Sequence, residues 1–128
     1  NDIASSSKRI VIIMTHDKRK FVERLDYLTS PGYLDGPGGR ERAGLRGGGP
    51  SSVVTNLCVL TFEEKTKRMK LLSVHPGVTV QQVLENTAFD LLVPETVLET
   101  EPPTYAELKI VREIDPTGIY LGKREGKQ

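Results

Sequence analysis

Residues 47–86 read GGGPSSVVTNLCVLTF (47–62), EEKTKR (63–68), MKLLSVHPGVTV (69–80) and QQVLEN (81–86). The opening glycines and proline indicate a loop. The apolar runs at 53–62 and 69–74 predict two strands, and the charged residues 63–68 indicate the hairpin turn between them. Thr79 and Gln82 form a capping-box pattern that begins a helix, because each side chain can bond the other's backbone N–H. Strands followed by a covering helix favour a layered α/β domain.

Upstream of this stretch, two further segments have strand patterns. Residues 9–15 (RIVIIMT) form a continuous β-branched run that predicts a strand buried on both faces. Residues 21–28 (FVERLDYL) alternate apolar and charged side chains, which predicts a strand with one wet face. Ser30-Pro31-Gly32 then indicates a turn.

Downstream, residues 89–93 predict a short strand, and a second capping box begins a helix at Thr104. Its inner face is expected to hold Leu108, Val111 and Ile114, and the Asp-Pro pair at 115–116 should end it. Residues 121–128 form a polar tail.

Composition and charge limit the classes of function. The chain has 128 residues, which suits one domain or part of one, with 37% hydrophobic residues and no Trp. The net charge of +1 implies neither nucleic acid nor an anionic membrane as partner. No apolar run approaches the roughly 18–20 residues that span a bilayer. A single cysteine fits a reducing compartment, so we expect a cytoplasmic protein.

The cysteine and histidines predict structural roles rather than a metal site. Cys58 lies within an apolar run, which favours a small buried hydrophobe over a nucleophile. His16 and His75 lack the companions of a zinc site, so no bound metal or cofactor is expected. His75 is expected to fix the turn between strand and helix, whereas His16 could face the active-site side. Asn56 lies among apolar residues and needs a partner for its amide.

Several landmarks occur in a characteristic order: NDIAS at 1–5, KRIVIIMTH at 8–16, FVERLDYLTSPGY at 21–33, GGGPSSVVTNL at 47–57, SVHPGVTVQQVLENT at 73–87, TEPPTYAEL at 100–108 and EIDPTG at 113–118. In this order the chain resembles the β subunit of family I coenzyme A transferases of the glutaconate/3-oxoacid type. The resemblance implies a three-layer, mixed-sheet α/β domain. Residues 1–122 would be its C-terminal part, followed by a polar tail at 123–128.

The resemblance also implies an activity. Family members move coenzyme A between an acyl-CoA and a short-chain 3-oxo or dicarboxylic acid through a glutamyl-CoA intermediate. The family's catalytic glutamate, in a Ser-Glu-Asn-Gly motif, has no counterpart here. Glu85-Asn86 is followed by Thr87 instead of Gly, so Glu85 is interpreted as a solvated helix residue. We therefore expect the nucleophile outside these residues, a CoA thioester as substrate, and as partners an α subunit and the N-terminal half of the β subunit.

Candidate substrate or CoA contacts come from three segments. Asn1 and Asp2 would trail a loop whose amides help form the family's oxyanion hole. Ser30 and Gly32 lie in the turn after a predicted strand, where α/β sheets place ligand-contacting loops. The glycine loop, residues 36–50, completes the set: its glycines, such as Gly48, permit close backbone approach, and its cations can meet phosphate or carboxylate. Those cations are Arg40, Arg42 and Arg46.

Alternatives remain open from sequence. The glycine loop could be a subunit-interface loop with solvated arginines, or disordered. Superfamily relatives that hydrolyse a C–C bond in ring-derived β-keto acyl-CoA compounds share the scaffold. A noncatalytic interaction module that docks through residues 33–50 is the third hypothesis.

Overall fold

The computed structural model describes residues 2–120. In chain order the elements are α1 (Asp2–Ser6), β1 (Ile10–Ile13), α2 (Gly39–Arg42), β2 (Pro50–Val54), β3 (Cys58–Phe62), β4 (Met69–Val74), α3 (Val80–Glu85), β5 (Leu98–Glu99) and α4 (Tyr105–Ile114). The five strands form one sheet in the order β1-β2-β3-β4-β5. The two outer pairings are parallel and the two inner ones antiparallel. This mixed sheet with helices confirms the predicted α/β class.

The core lies where the central strands meet α3. Its buried apolar side chains come from β2, β3, β4, α3 and two connecting segments: Phe21, Val53, Cys58, Leu60, Leu71, Val83 and Leu91. Burying a side chain of this size contributes on the order of 1.5–3 kcal/mol. The central strands are therefore the rigid base on which the loops rest.

Both predicted capping boxes are present. Thr79 N–H donates to Gln82 Oε1 at 2.8 Å, and Gln82 N–H donates to Thr79 Oγ1 at 3.2 Å. Thr104 and Glu107 form the same reciprocal pair at the start of α4. The helix ends at Ile114, as the following Asp-Pro pair predicts.

The single strand predicted over residues 53–62 is wrong, because a turn divides it into β2 and β3. Thr55 Oγ1 accepts hydrogen bonds from the N–H groups of Leu57 and Cys58, at 3.1 and 3.0 Å, and so closes a tight turn. Asn56 is exposed at its tip, and its Oδ1 accepts from His16 N–H at 2.7 Å.

Two upstream predictions also need correction. β1 is not buried on both faces: Val11 is 49% exposed and Ile13 82% exposed. Among the described residues β1 pairs only with β2, so it forms an edge of the sheet. Residues 21–28 form no strand; Phe21 is buried, whereas Leu25 and Tyr27 are exposed. The alternating pattern predicted a strand, but residues 21–28 pair with no neighbouring strand in the described chain, and a strand needs such a partner.

Downstream, the predicted strand at 89–93 reduces to one bridge, between Leu92 and Lys70. The pattern missed β5, which has two residues, and α1. Within α4 the expected inner face is wrong: Leu108 is half-buried, but Val111 and Ile114 are exposed. The predicted tail at 121–128 lies outside the described residues.

Candidate functional site

Arg40 joins three segments that sequence analysis assigned to the site. It lies in α2 and is buried, with 4% of its surface exposed. Its Nε–H donates to the Gly47 carbonyl at 2.9 Å, and Nη1 donates to the Gly32 carbonyl at 2.8 Å. Nη2 donates to the carbonyls of Ala4 and Ser5, both at 3.1 Å. The end of α1, the turn at 30–32 and the glycine loop are therefore tied to one side chain.

We refer to the place where α1, the turn at 30–32 and the glycine loop meet as the junction. The chemistry of arginine explains why Arg40 can hold these three segments together. A guanidinium presents five N–H donors in a rigid plane and accepts nothing. Ala4 and Ser5 lie in the last turn of α1, where backbone carbonyls lack helical partners and carry partial negative charge. Arg40 bonds these carbonyls. A direct contact of Arg40 with substrate stays a prediction, and one for which few donors remain.

Gly47 and Gly48 permit the segment after α1 to pack against the glycine loop. Gly47 N–H donates to the Ser5 carbonyl at 3.1 Å, and Gly48 N–H donates to the Ser7 carbonyl at 3.2 Å. A Cβ on Gly47 would overlap the Ser7 carbonyl, and a Cβ on Gly48 would overlap the Lys8 carbonyl. These two glycines thus allow a close approach of the chain to its own backbone.

An apolar cavity of about 330 Å³ opens beside this junction. Ser30 and Gly32, both predicted site residues, lie in its wall together with α1 and the two strands β1 and β2. Its lining is Ala4, Ile10, Ile12, Ser30, Pro31, Gly32 and Pro50. The structure therefore brings the turn at 30–32 next to the segment that follows Asn1.

A second, more polar cavity contains two cations that the sequence analysis did not single out. We call it the basic cleft; it has a volume of about 510 Å³ and is lined by Lys8, Arg9, Tyr33, Gly48, Gly49 and Ser51. A small pocket of about 90 Å³ shares Tyr33 and Gly48 with it, and adds Lys67, Glu41 and Arg40. The signal available in the sequence was the Lys-Arg pair directly before β1.

The remaining predicted residues are distributed around the junction. Arg42 is exposed and closes the glycine loop on itself: Nη2 lies 2.7 Å from Asp35 Oδ2, and Nη1 donates to the Pro37 carbonyl at 3.1 Å. The hydrogen bond from Arg42 lowers the pKa of Asp35. Arg46 is exposed and lines none of the cavities above. Asp2 is exposed at the start of α1, and Asn1 lies outside the described residues.

His16 belongs to the core, so its predicted orientation toward an active site is wrong. It is 4% exposed and stacks on Phe21 with ring centroids 3.9 Å apart. Thr87 Oγ1 donates to the Val83 carbonyl, so it accepts the proton on His16 Nε2 across 3.0 Å. This tautomer is assigned from the bonds of the partner.

Cys58 and His16 lie as close as a catalytic pair, with 3.5 Å between Cys58 Sγ and His16 Nδ1. Because Nε2 carries the imidazole proton, Nδ1 accepts from the thiol. Burial raises the pKa of Cys58 and lowers the pKa of His16. Both shifts favour the neutral forms, so this is a hydrogen-bonded core pair. The prediction of a buried, structural cysteine is confirmed.

The structure also confirms the expected positions of His75 and Glu85. His75 Nε2 donates to the Thr55 carbonyl at 2.8 Å, and its N–H donates to the Leu57 carbonyl at 2.9 Å, which fixes the turn before α3. Glu85 is exposed and accepts from Gln81 Nε2 at 3.0 Å. Within residues 2–120, no cluster of three metal-ligating side chains occurs, and no helix is long and apolar enough to cross a membrane.

The chain has a mixed α/β sheet, and at one place Arg40 ties α1, the turn at 30–32 and the glycine loop together. Comparison with known proteins identifies the class of protein that has this fold. The family model described as "Coenzyme A transferase" matches residues 1–86. The chain belongs to the coenzyme A transferase family, and within that family it resembles the β subunits.

Two curated relatives illustrate the similarity. The β subunit of glutaconate CoA-transferase from Acidaminococcus fermentans is 53% identical over 123 residues, which cover 94% of this chain and 46% of the relative. The β subunit of 3-oxoadipate CoA-transferase from Pseudomonas knackmussii is 37% identical over 128 residues, covering 99% and 49%. The chain therefore spans about half the length of these relatives.

Solved structures show the same relationship in three dimensions. Glutaconate coenzyme A-transferase from Acidaminococcus fermentans superposes with a TM-score of 0.84 at 48% identity, over 94% of this chain and 46% of that one. IpdAB from Rhodococcus jostii gives 0.75 at 31% identity, over 87% and 45%. The decarboxylase AibA/AibB, at 0.65 and 20% identity, shares the fold.

Proposed function

We propose that these residues form part of the β subunit of an enzyme that moves coenzyme A between an acyl-CoA and a short-chain 3-oxo or dicarboxylic acid. The observation that carries the proposal is the 53% identity to a glutaconate CoA-transferase subunit over nearly the whole chain. The 3-oxoadipate relative acts on an acid that is both a 3-oxo and a dicarboxylic acid, as its name states. We infer the cytoplasm as its compartment.

The reaction requires a carboxylate nucleophile that forms a glutamyl-CoA thioester, and we place that glutamate outside these residues. A carboxylate needs a defined position beside oxyanion donors to attack a thioester. Glu85 is exposed on α3, and the apolar cavity has no carboxylate in its wall. Of the three cavities described above, Glu41 lines the 90 Å³ pocket.

The described residues would then contribute the walls of the substrate site. Ser30 and Gly32 would contact substrate through the apolar cavity, and Gly48 would present backbone to the basic cleft. Asp2 would follow the loop that binds the oxyanion, with Asn1 at its edge. Arg42 and Arg46 stay candidate contacts for a carboxylate or phosphate. Remote binding of this kind lowers the barrier at the thioester when it strengthens in the transition state.

The exposed apolar surface of β1 indicates where partner polypeptides would bind. Val11 and Ile13 of β1 are exposed in residues that have the pattern of a buried strand. We propose that the remainder of the β subunit and an α subunit cover such surfaces. The solved relative IpdAB and the fold relative AibA/AibB carry paired names, which fits a two-subunit assembly.

The test is CoA exchange from acetyl-CoA to a panel of 3-oxo and dicarboxylic acids. The complete two-subunit enzyme should transfer CoA, and residues 1–128 alone should not. Borohydride should trap a glutamyl-CoA thioester in the complete enzyme as a reduced side chain detectable by mass. Turnover by the 128 residues alone would contradict the proposal that the nucleophile lies outside them. Absence of exchange with every acid would contradict the proposed transferase activity.

A second candidate is hydrolysis of a β-keto acyl-CoA compound. It is favoured by the 34% identity over 107 residues to the IpdB subunit of a cholesterol ring-cleaving hydrolase from Rhodococcus jostii. A hydrolase would cleave a C–C bond of a β-keto acyl-CoA substrate with water, would need no acceptor acid, and would leave no trapped glutamyl-CoA thioester. The two activities are therefore separated by one assay with and without acceptor.

A further inference from the structure

We infer that the basic cleft binds the phosphate groups of the CoA thioester through Lys8 and Arg9. This inference rests on the proposed function, because it names the part of the substrate that the cleft would hold. Coenzyme A carries a diphosphate and a 3′-phosphate at the end remote from its thiol. Ammonium and guanidinium groups are the side chains that recognise such oxyanions.

The first argument is charge. Lys8 and Arg9 are exposed and form no ion pair with any residue between 2 and 120, whereas Arg19, Arg42 and Arg68 each pair with an aspartate. The residues that line the cleft include no carboxylate. Two adjacent cations without an ion-pair partner among the described residues therefore lie at one wall of a cleft that has no carboxylate in its lining.

The second argument is the donor geometry of the cleft. Ser51 Oγ donates to the Ile10 carbonyl at 3.0 Å, and Tyr33 Oη donates to the Pro50 carbonyl at 2.6 Å, so both hydroxyl protons are engaged. Gly49 N–H has no acceptor within the described chain. The free donors at this wall are therefore the two cations and a glycine amide, a combination that suits phosphate oxygens.

The third argument is how the cations are held in place. Gly48 bonds Ser7 and leaves no room for a Cβ beside the Lys8 carbonyl, so the backbone of residues 7 and 8 is fixed against the glycine loop. Arg9 directly precedes β1, which is paired with β2. The two flexible side chains thus rise from a rigid backbone, which reduces the entropy lost on binding.

The fourth argument is size and neighbourhood. The cleft volume of about 510 Å³ lies within the roughly 300–1,000 Å³ of small-molecule sites. Lys67 extends the positive side, with Nζ 5.4 Å from the Tyr33 ring centroid. Glu41 lines the adjoining pocket together with buried Arg40, and it does not line the cleft itself.

The experiment compares the complete enzyme with its Lys8→Ala/Arg9→Ala variant. A matched control, Lys18→Ala/Arg24→Ala, removes the same charge from exposed positions that line none of the cavities. The KM for acetyl-CoA should rise about ten- to hundredfold in the cleft variant, with a smaller change in kcat, because charge-assisted bonds are lost. The control should leave KM within about twofold, and added salt should reduce the difference.

Dephospho-CoA distinguishes the phosphates. If the cleft holds the 3′-phosphate, the unaltered enzyme should prefer acetyl-CoA to acetyl-dephospho-CoA, and the cleft variant should lose that preference. If the cleft holds the diphosphate, the cleft variant should raise the KM of both substrates by the same factor. Either result supports phosphate binding.

An unchanged KM in an active cleft variant would overturn the inference. So would a variant that assembles poorly with its partner yet binds CoA with unchanged affinity, since that result assigns the cations to a carboxylate of another subunit. CoA binding measured by calorimetry keeps the inference separate from the transferase. Unaltered protein that transfers no CoA, yet binds it through Lys8 and Arg9, would contradict only the proposed function.

Discussion

Arg40 donates from Nε to the Gly47 carbonyl at 2.9 Å while it is only 4% exposed. A buried charge without compensating partners is strongly unfavourable. Here the compensation comes from four backbone carbonyls rather than from a carboxylate. The position of the glycine loop therefore depends on one guanidinium, and this dependence can be measured.

Replacing Arg40 by lysine should destabilise the complete protein by about 2–4 kcal/mol, because one ammonium cannot span carbonyls that lie in three segments. The measurement is denaturant unfolding followed by circular dichroism. Arg42→Lys is the matched control: that side chain is exposed, and its replacement should change the free energy of unfolding by less than about 0.5 kcal/mol. Equal effects at the two positions would contradict the role of Arg40.

Gly48→Ala should lower stability and reduce CoA binding together, because a Cβ would overlap the Lys8 carbonyl and displace that backbone. We expect a loss of about 1–3 kcal/mol. Gly32→Ala serves as the comparison for stability, since a Cβ there meets no atom within 4 Å. Thermal unfolding of both variants checks the prediction, and a more stable Gly48→Ala protein would refute it.

His16 should make stability depend on pH. Burial lowers its pKa below the ordinary value of 6.5, so the unfolded chain binds a proton more readily than the folded one. Its contribution is therefore complete above about pH 6.5 and is lost as pH falls toward and through the lowered pKa. Unfolding of the native protein and of His16→Gln, measured between about pH 5 and 8, should show a smaller pH slope in the variant. Parallel slopes would exclude His16 as the titrating group.

Cys58 should be inert in the folded protein. Burial raises the pKa of its thiol, and its side chain is fully enclosed. Labelling with a thiol reagent should be slow in native buffer and rapid in denaturant. Cys58→Ala should keep CoA-transfer activity while losing about 1–2 kcal/mol of stability from the small cavity. Loss of activity in a folded Cys58→Ala protein would instead indicate a catalytic thiol.

Sequence patterns succeeded where the decisive contacts are local. The capping boxes at Thr79 and Thr104 each join residues three apart, so the pattern contains both partners. The end of α4 before Pro116 rests on steric restriction within a dipeptide. The family resemblance was confirmed because its landmarks occur in the right order across the chain.

Patterns failed where a local turn signal is weak and where distant residues decide. The turn closed by Thr55 was hidden within an apolar run: its hydroxyl accepts from N–H groups two and three positions on, but threonine is a weaker turn residue than glycine or proline. Val111 in α4 belongs to an apolar periodicity but is exposed, because periodicity does not show whether another element packs against that face. The basic cleft was missed because Lys8 and Gly48 are far apart in the sequence and come together only in the folded chain.

The edge position of β1 has a practical consequence. Among the described residues, an edge strand that displays Val11 and Ile13 is a template on which other extended chains can add. Residues 1–128 produced by themselves should consequently self-associate and precipitate as concentration rises. Co-expression with the polypeptide that shields this rim is the rational route to soluble material.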